Sequence, residues 1–237
     1  MEVLSETGAK VLESAAIETD GRTQGLELMN RAGGRIVELI QEKRSLEDCV
    51  FTVFCGPGFT GTLGAFTAKH LVEQQQVVRL FYCDQHDRIE ERYPKALRKI
   101  GPAIQRSFPD IPHGADLAAT RVMNEGFDER DVVIDAVFGR ELTKPIEMYW
   151  REILGWTNGF SDNYMLVALD LPSGYNARSG EFIDYSKAEI AKNGYITNMF
   201  ADRYDLTISV LGDCPAYRCG PCGEHCGEVV PLGIAEF

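Results

Sequence analysis

The sequence lacks any long hydrophobic run. Its longest apolar stretches, Val50–Cys55 and Met165–Leu169, have the length of strands, whereas a membrane-spanning helix needs about 20 consecutive apolar residues. The first ten residues, MEVLSETGAK, do not combine a basic start with an apolar core, the pattern of a secretory signal. We therefore expect a cytoplasmic protein that is not attached to a membrane.

Positive charge is also scarce. Lys and Arg total 24 against 36 Asp and Glu, so the formal net charge is −12, and a nucleic-acid backbone would be repelled. The densest basic stretch, 92–106, is interleaved with apolar residues at helical spacing and is typical of a solvated helix face. We expect no nucleic-acid partner. The length of 237 residues and the ordinary composition predict a single domain over 1–237.

The cysteine count is odd, at seven, which argues against a disulfide framework. Four cysteines are clustered near the carboxyl end of the chain: Cys214, Cys219, Cys222 and Cys226. Three interpretations stay open. The cluster holds free thiols in a reducing compartment, or a structural zinc ion bound at short Zn–S ligand spacings, or a redox pair of the Cys-X-X-Cys type.

Strand and helix patterns alternate along the chain. The run Val50–Cys55 has β-branched and aromatic residues without polar alternation, which predicts a strand buried on both faces. A glycine-rich turn (56–61), a helix (62–73) and a second strand (Val77–Tyr82) complete a βαβ unit. The pattern as a whole predicts one open α/β domain. Further strands are predicted at 132–138, 165–169, 206–211 and 228–232, and further helices at 7–18, 23–43, 94–108 and 147–156.

Unusual residues follow three of the predicted strands, in the segments CGPGFTG, IDAVFG and LDLPSG. The carboxyl ends of parallel strands meet at one sheet edge, where ligands bind. The glycine turn either approaches an anion through its N–H groups or simply reverses the chain. Asp135 and Asp170, with the hydroxyls of Thr60 and Ser173, predict a cation site of oxygen ligands or an acid/base centre. The alternative is that each aspartate caps a neighbouring loop or helix.

Six sequence blocks resemble, in order and over nearly the whole chain, the NAD(P)H-hydrate epimerase family, the YjeF N-terminal domain. They are LELMNRAG (26–33), CGPG (55–58), TAKHL (67–71), VVIDAVFG (132–139), VALDLPSG (167–174) and DLTISV (205–210). The resemblance implies a Rossmann-like three-layer α/β/α sandwich with a mostly parallel sheet. It also implies an isomerase that epimerises hydrated NADH and NADPH, and a homodimer.

The resemblance also implies roles for particular residues. Asp170 would be the acid/base beside the reacting ring, and a potassium ion would bind Thr60, Asp135 and Ser173. The hydrated dinucleotide would lie along two segments. Their residues are Gly58, Phe59, Thr60, Gly61, Thr62, Leu63, Gly139, Arg140, Glu141, Leu142, Thr143, Lys144 and Pro145.

Both dinucleotide segments depart from the family pattern. Where the family has NNGGDG, residues 59–64 are FTGTLG, and where it has FGTGL, residues 138–142 are FGREL. The carboxylate of Glu141 would repel a pyrophosphate, and Arg140 and Lys144 would offset part of that repulsion.

These departures leave two alternatives beside an epimerase. Phe59 and Leu63 would line the entrance of the pocket, which favours an isomerase or cyclase of the same fold for a different, more apolar small molecule. The other alternative is a module without catalytic activity that serves dimerisation or ligand binding.

Overall fold

The computed structural model describes residues 23–56, 58–82, 104–107, 129–146, 150–151, 154–155, 157, 164–186 and 203–232. The predicted helix at 7–18 lies outside these residues. The prediction of one domain concerns the whole of 1–237 and stays a prediction.

A single sheet of seven strands forms the middle layer, and each of its six neighbouring pairs is parallel. The strand order is β3-β2-β1-β4-β5-β6-β7. The order reverses between β1 and β4, and this switch point places a crevice at the carboxyl ends of these two strands. The strands are β1 (Val50–Cys55), β2 (Val77–Tyr82), β3 (Ile104–Ser107), β4 (Val132–Ala136), β5 (Met165–Leu169), β6 (Leu206–Ser209) and β7 (Glu228–Pro231).

Alternate residues of the central strands contribute to two separate cores. In β4, Ile134 packs in the larger cluster with residues from the helices α1 (Thr23–Lys43) and α2 (Phe59–Glu73). Its neighbour Val133 packs in a second cluster with Trp150 and Leu154, which lie in helical conformation. Hydrophobic side chains therefore cover both faces of the sheet. This confirms the predicted Rossmann-like three-layer fold and explains why the strands lack polar alternation.

The two long helices pack closely because of a small residue in α1. A Cβ atom on Gly33 would come within 2.7 Å of the backbone of Phe66 in α2. The apolar stripe of α1, which includes Met29, Ile36 and Ile40, is buried beside it. Two short elements complete the fold, a 3-10 helix (Pro215–Arg218) and α3 (Gly220–His225).

Two local predictions are wrong. Residues 104–107 form β3 and not the end of a helix, because Ile104 pairs with Val78 of β2 and the pairing overrides the helical spacing of the segment. The helix predicted to begin at Thr62 begins at Phe59, so residues 59–61 of the predicted glycine turn belong to the first turn of α2. Within the described residues, we find no helix that is long and apolar enough to span a membrane.

Candidate functional site

The glycine turn between β1 and α2 lies against the end of β4. A Cβ atom on Gly56 would come within 1.9 Å of the carbonyl oxygen of Val137, and one on Gly61 within 1.7 Å of the carbonyl oxygen of Gly56. Larger residues at these positions would push the strands apart. The turn therefore brings the start of α2 to the carboxyl ends of β1 and β4. Gly58, the residue before α2, has no side chain to cap the first N–H groups of the helix.

Asp170 follows β5 and lies fully buried in this crevice. Its backbone has a φ of 66°, in the left-handed region, which Asp and Asn adopt more readily than most residues. The carboxylate accepts hydrogen bonds from Arg140 Nε at 2.9 Å and Nη2 at 2.8 Å, and from the backbone N–H groups of Arg140 and Leu211, each at 3.2 Å. The residue predicted to be the acid/base thus has its oxygens engaged by the protein itself.

Arg140 is held in place by more than Asp170. Its guanidinium also donates to the carbonyl oxygen of Gly212 at 2.9 Å and that of Leu211 at 3.3 Å. Burial lowers the pKa of Arg140, but the charge and hydrogen bonds of Asp170 outweigh this effect and the pKa is raised. Tyr217 lies beside the pair and donates to the backbone carbonyl of Asp170. The sequence predicts that Arg140 faces a phosphate, and it gives no sign of this ion pair between Arg140 and the buried Asp170.

Glu141 turns its carboxylate toward the start of α2, although the residue as a whole is exposed. Thr60 Oγ1 donates to Glu141 Oε1 at 3.1 Å, and a Cβ atom on Gly58 would lie 3.1 Å from the same oxygen. The carboxylate of Glu141 thus lies at the N-terminal end of the 15-residue helix α2, where the backbone N–H groups attract anions. Burial and the nearby charge of Asp170 raise the pKa of Glu141.

Gly139 lies where three of the predicted site residues meet. A Cβ atom at this position would come within 2.6 Å of Thr60 Oγ1, 2.8 Å of Glu141 Oε2 and 2.9 Å of Asp170 Oδ2. The structure therefore brings together Thr60, Gly139, Glu141 and Asp170, which the family resemblance implies as site residues. Thr143 and Lys144, two other residues predicted to bind the dinucleotide, are exposed just beyond them, and Leu142 and Pro145 are partly buried.

Asp135 is the centre of a second, buried network. Its Oδ1 accepts from Ser173 Oγ at 2.7 Å and the N–H of Val137 at 3.1 Å. Its Oδ2 accepts from Tyr204 Oη at 2.7 Å and the N–H of Ser173 at 2.9 Å. Burial raises the pKa of Asp135, and the hydrogen bonds that it accepts oppose this rise. The network joins the loops after β4 and β5, and the contribution of Tyr204 had no signal in the local sequence.

The oxygens of Thr60, Asp135 and Ser173 are of the type that a potassium ion takes. However, a carboxylate offers about four lone-pair positions, and Asp135 uses them for the four protein donors of its network. The hydroxyl of Ser173 donates to Asp135 and accepts from the N–H of Phe138 at 2.9 Å, while the hydroxyl of Thr60 donates to Glu141 and keeps its lone pairs, so the conflict with a cation lies at Asp135. In this arrangement the three residues do not fit a potassium ion.

The prediction that Phe59 and Leu63 line the entrance is wrong. Both side chains pack in the larger core, with Leu63 fully buried, because the first turn of α2 directs them toward the sheet. Thr62 is also buried and its hydroxyl donates to the carbonyl oxygen of Gly58 at 3.0 Å. The side chains that meet at this sheet edge come from Thr60, from the segment after β4 and from Asp170 after β5.

The four clustered cysteines lie around the 3-10 helix and α3. Cys214, Cys222 and Cys226 are buried in a small core with Tyr175 and Tyr217, and Cys219 is half-buried. Within the described ranges, no group of three or more His, Cys, Asp or Glu is arranged to hold a metal ion. Zinc binding at this cluster stays a prediction, which metal analysis of the purified protein tests.

Comparison with known proteins identifies relatives over most of the chain. The sequence model of the family described as "YjeF-related protein N-terminus" matches residues 25–201. An NAD(P)H-hydrate epimerase of Rhodobacter capsulatus is 30% identical over 191 residues, with 74% of this chain and 78% of that protein covered. An NAD(P)H-hydrate epimerase of Plasmodium vivax is 29% identical over 227 residues, with 86% of this chain and 73% of that protein covered.

A larger relative and a solved structure extend this result. A bifunctional NAD(P)H-hydrate repair enzyme of Thermofilum pendens is 27% identical over 187 residues, and this chain spans 33% of its length. The crystal structure of yeast ynu0 (YNL200c) matches with a TM-score of 0.62 and 17% identity, covering 91% of this chain and 83% of that one, which supports the fold alone. The chain belongs to the family of YjeF-related N-terminal domains.

Proposed function

We propose that this protein is an isomerase of the NAD(P)H-hydrate epimerase type, acting on hydrated NADH or NADPH. Named relatives with this activity align over most of the chain. The observation that carries the proposal is the position of Asp170. It is a buried carboxylate on a left-handed turn after β5, next to the switch point between β1 and β4, where ligands of such folds bind.

Asp170 would act as the acid and base of the reaction. Epimerisation at a carbon that bears a hydroxyl requires a proton to be delivered and taken back, and a positioned carboxylate contributes about 10²- to 10⁴-fold to such a step. For this to happen, the substrate must replace the contact between Asp170 and Arg140. The Arg140 side chain is 18% exposed, and its contacts with the carbonyls of Leu211 and Gly212 would hold it beside the site after the exchange.

No step is assigned to potassium, because Thr60, Asp135 and Ser173 do not fit it as they are arranged. The family resemblance implies the ion, so binding and turnover should be compared in potassium and in sodium buffer.

The implied homodimer is likewise a proposal, and light scattering of the purified protein tests it.

One observation favours a second function. The carboxylate of Glu141 lies at the start of α2, where the phosphates of a dinucleotide would be attracted. Because the carboxylate of Glu141 already occupies this anion-binding position, the site suits a ligand without a phosphate group. The second candidate is therefore an isomerase or cyclase of the same fold that uses Asp170 on a different small molecule.

The deciding experiment measures epimerase turnover and NADPH binding by the wild type and by Asp170→Asn. Asn tolerates the left-handed backbone and keeps an oxygen toward Arg140, so we expect a folded variant that has lost at least about 100-fold in turnover. Asp48→Asn is the matched control, since Asp48 has a similar φ of 58° but is exposed and far from the crevice. Equal turnover by the wild type and Asp170→Asn would refute the role of Asp170. Absence of both binding and turnover in the wild type would favour the second candidate.

A further inference from the structure

The segment Cys219–Gly220–Pro221–Cys222 begins α3 and takes no part in the proposed isomerase site. Cys219 directly precedes the helix and has extended backbone angles, with φ −144° and ψ 159°. Cys222 is the third residue of the helix. Two cysteines separated by two residues at the start of a helix form the arrangement in which thiol–disulfide exchange takes place in many proteins.

The backbone holds this segment firmly against a neighbouring loop. The N–H of Cys222 donates to the carbonyl oxygen of Gly180 at 3.0 Å, and the N–H of Gly223 donates to that of Cys219 at 3.2 Å. Gly220 has a φ of 60°, and a Cβ atom on Gly180 would come within 1.9 Å of the carbonyl oxygen of Cys219. Both glycines are thus required for the close contact that positions the two cysteines.

This spacing suits a disulfide between the two residues. Residues three positions apart in a helical turn have Cα atoms about 5 Å apart, and a disulfide needs Cα atoms about 4.4–6.8 Å apart. Cys226 is less suited to pair with Cys222, since it lies four residues farther on along a regular helical turn.

Access to the two thiols differs. Cys219 is half-buried and its Sγ contacts the carbonyl oxygen of Pro215 at 3.0 Å, at the surface. Cys222 is fully buried. Burial, and then the neighbouring thiols of Cys226, Cys214 and Cys219, raise the pKa of Cys222. A disulfide reagent from solution therefore reaches Cys219 first, whereas Cys222 is a buried, protonated thiol.

We propose that Cys219 and Cys222 form a redox-active dithiol whose substrates are small disulfides such as glutathione disulfide. The thiolate of Cys219 attacks one sulfur of the disulfide and releases one thiolate, which leaves a mixed disulfide on Cys219. Cys222 loses its proton to the released thiolate, and its sulfur then attacks the Cys219 sulfur and releases a second thiolate, which takes up the proton that Cys219 had lost to solvent. Two cysteine thiols and one small disulfide become one intramolecular disulfide and two small thiols. This inference does not depend on the proposed isomerase function.

The test uses the full chain in its reduced form, treated with glutathione disulfide and then quenched with iodoacetamide. We expect a mass loss of two hydrogens before alkylation, reversal by dithiothreitol, and a cross-link that peptide mapping assigns to Cys219 and Cys222. Cys222→Ser should stop at a glutathione mixed disulfide on Cys219, and Cys219→Ser should stay reduced. Cys49→Ser is the control, because this thiol is buried far from the cluster, beside Ser45.

Several results would overturn the proposal. One is a cross-link that involves Cys214 or Cys226, and another is a folded wild type that forms no cross-link in excess glutathione disulfide. Stoichiometric zinc in the purified protein would also overturn it, since the thiols would then be metal ligands. The mapping in the wild type decides the question even if a serine variant does not fold.

Discussion

Substitution of Glu141 tests whether a phosphate of the dinucleotide binds at the start of α2. Its carboxylate lies at the start of α2, bonded to Thr60 and next to Gly58, so a phosphate bound there would meet a second negative charge. Two unit charges 4 Å apart repel by about 1 kcal/mol in water and about 4 kcal/mol at an effective dielectric constant near 20. Because Glu141 is exposed as a residue while its carboxylate is only partly buried against Thr60, the lower part of this range applies, about 1–2 kcal/mol.

The substitution Glu141→Gln removes the charge and keeps the shape. The amide oxygen can still accept from Thr60, so the first turn of α2 should not move. A repulsion of about 1–2 kcal/mol corresponds to a dissociation constant for NADPH that falls about 5- to 30-fold. Isothermal titration calorimetry measures this change. Glu38→Gln is the control, because it makes the same change of net charge on the exposed surface of α1, where Glu38 pairs with Arg35.

The pH dependence checks the same reasoning independently. Burial and the charge of Asp170 raise the pKa of Glu141, so the side chain becomes neutral as the pH falls through that raised value. Wild-type affinity for NADPH should therefore rise toward that of Glu141→Gln as the pH decreases, while the variant changes less. A nicotinamide nucleoside without phosphate should show no such gain. If Glu141→Gln binds NADPH no better than the wild type at neutral pH, the assigned position of the phosphates is wrong.

Two further substitutions test the packing around the site. Gly139→Ala should lower the free energy of unfolding by about 1–3 kcal/mol in urea denaturation, because the added methyl group meets three oxygens within 2.9 Å. Gly34→Ala, whose Cβ would lie 3.3 Å from a flexible histidine ring, should stay within about 1 kcal/mol of the wild type, and equal losses in both variants would contradict the argument. Tyr204→Phe removes a 2.7 Å hydrogen bond to the buried Asp135 and should cost about 1–3 kcal/mol by the same method; an unchanged stability would mean that the network is not held as described.

Much of the fold could be predicted because its signals are local. The run Val50–Cys55 is apolar on both faces, and only a sheet covered on both sides buries such a strand. The helix predicted at 23–43 is observed as Thr23–Lys43, since its apolar stripe repeats at the helical period. The prediction failed at Ile104–Ser107, where pairing with β2 decides the structure and the residues themselves carry a helical spacing.

The layers, the parallel βαβ unit and the arrival of Thr60, Asp135, Asp170 and Ser173 at one sheet edge could be predicted from the sequence, because strand direction carries those residues there. Their hydrogen-bond and ion-pair partners depend on the tertiary structure. The pair of Arg140 and Asp170 spans 30 positions along the chain, and that of Asp135 and Tyr204 spans 69. Such contacts depend on which loops the sheet brings together and on which polar groups then lie within hydrogen-bond distance of each buried charge. No local pattern of residues encodes that choice.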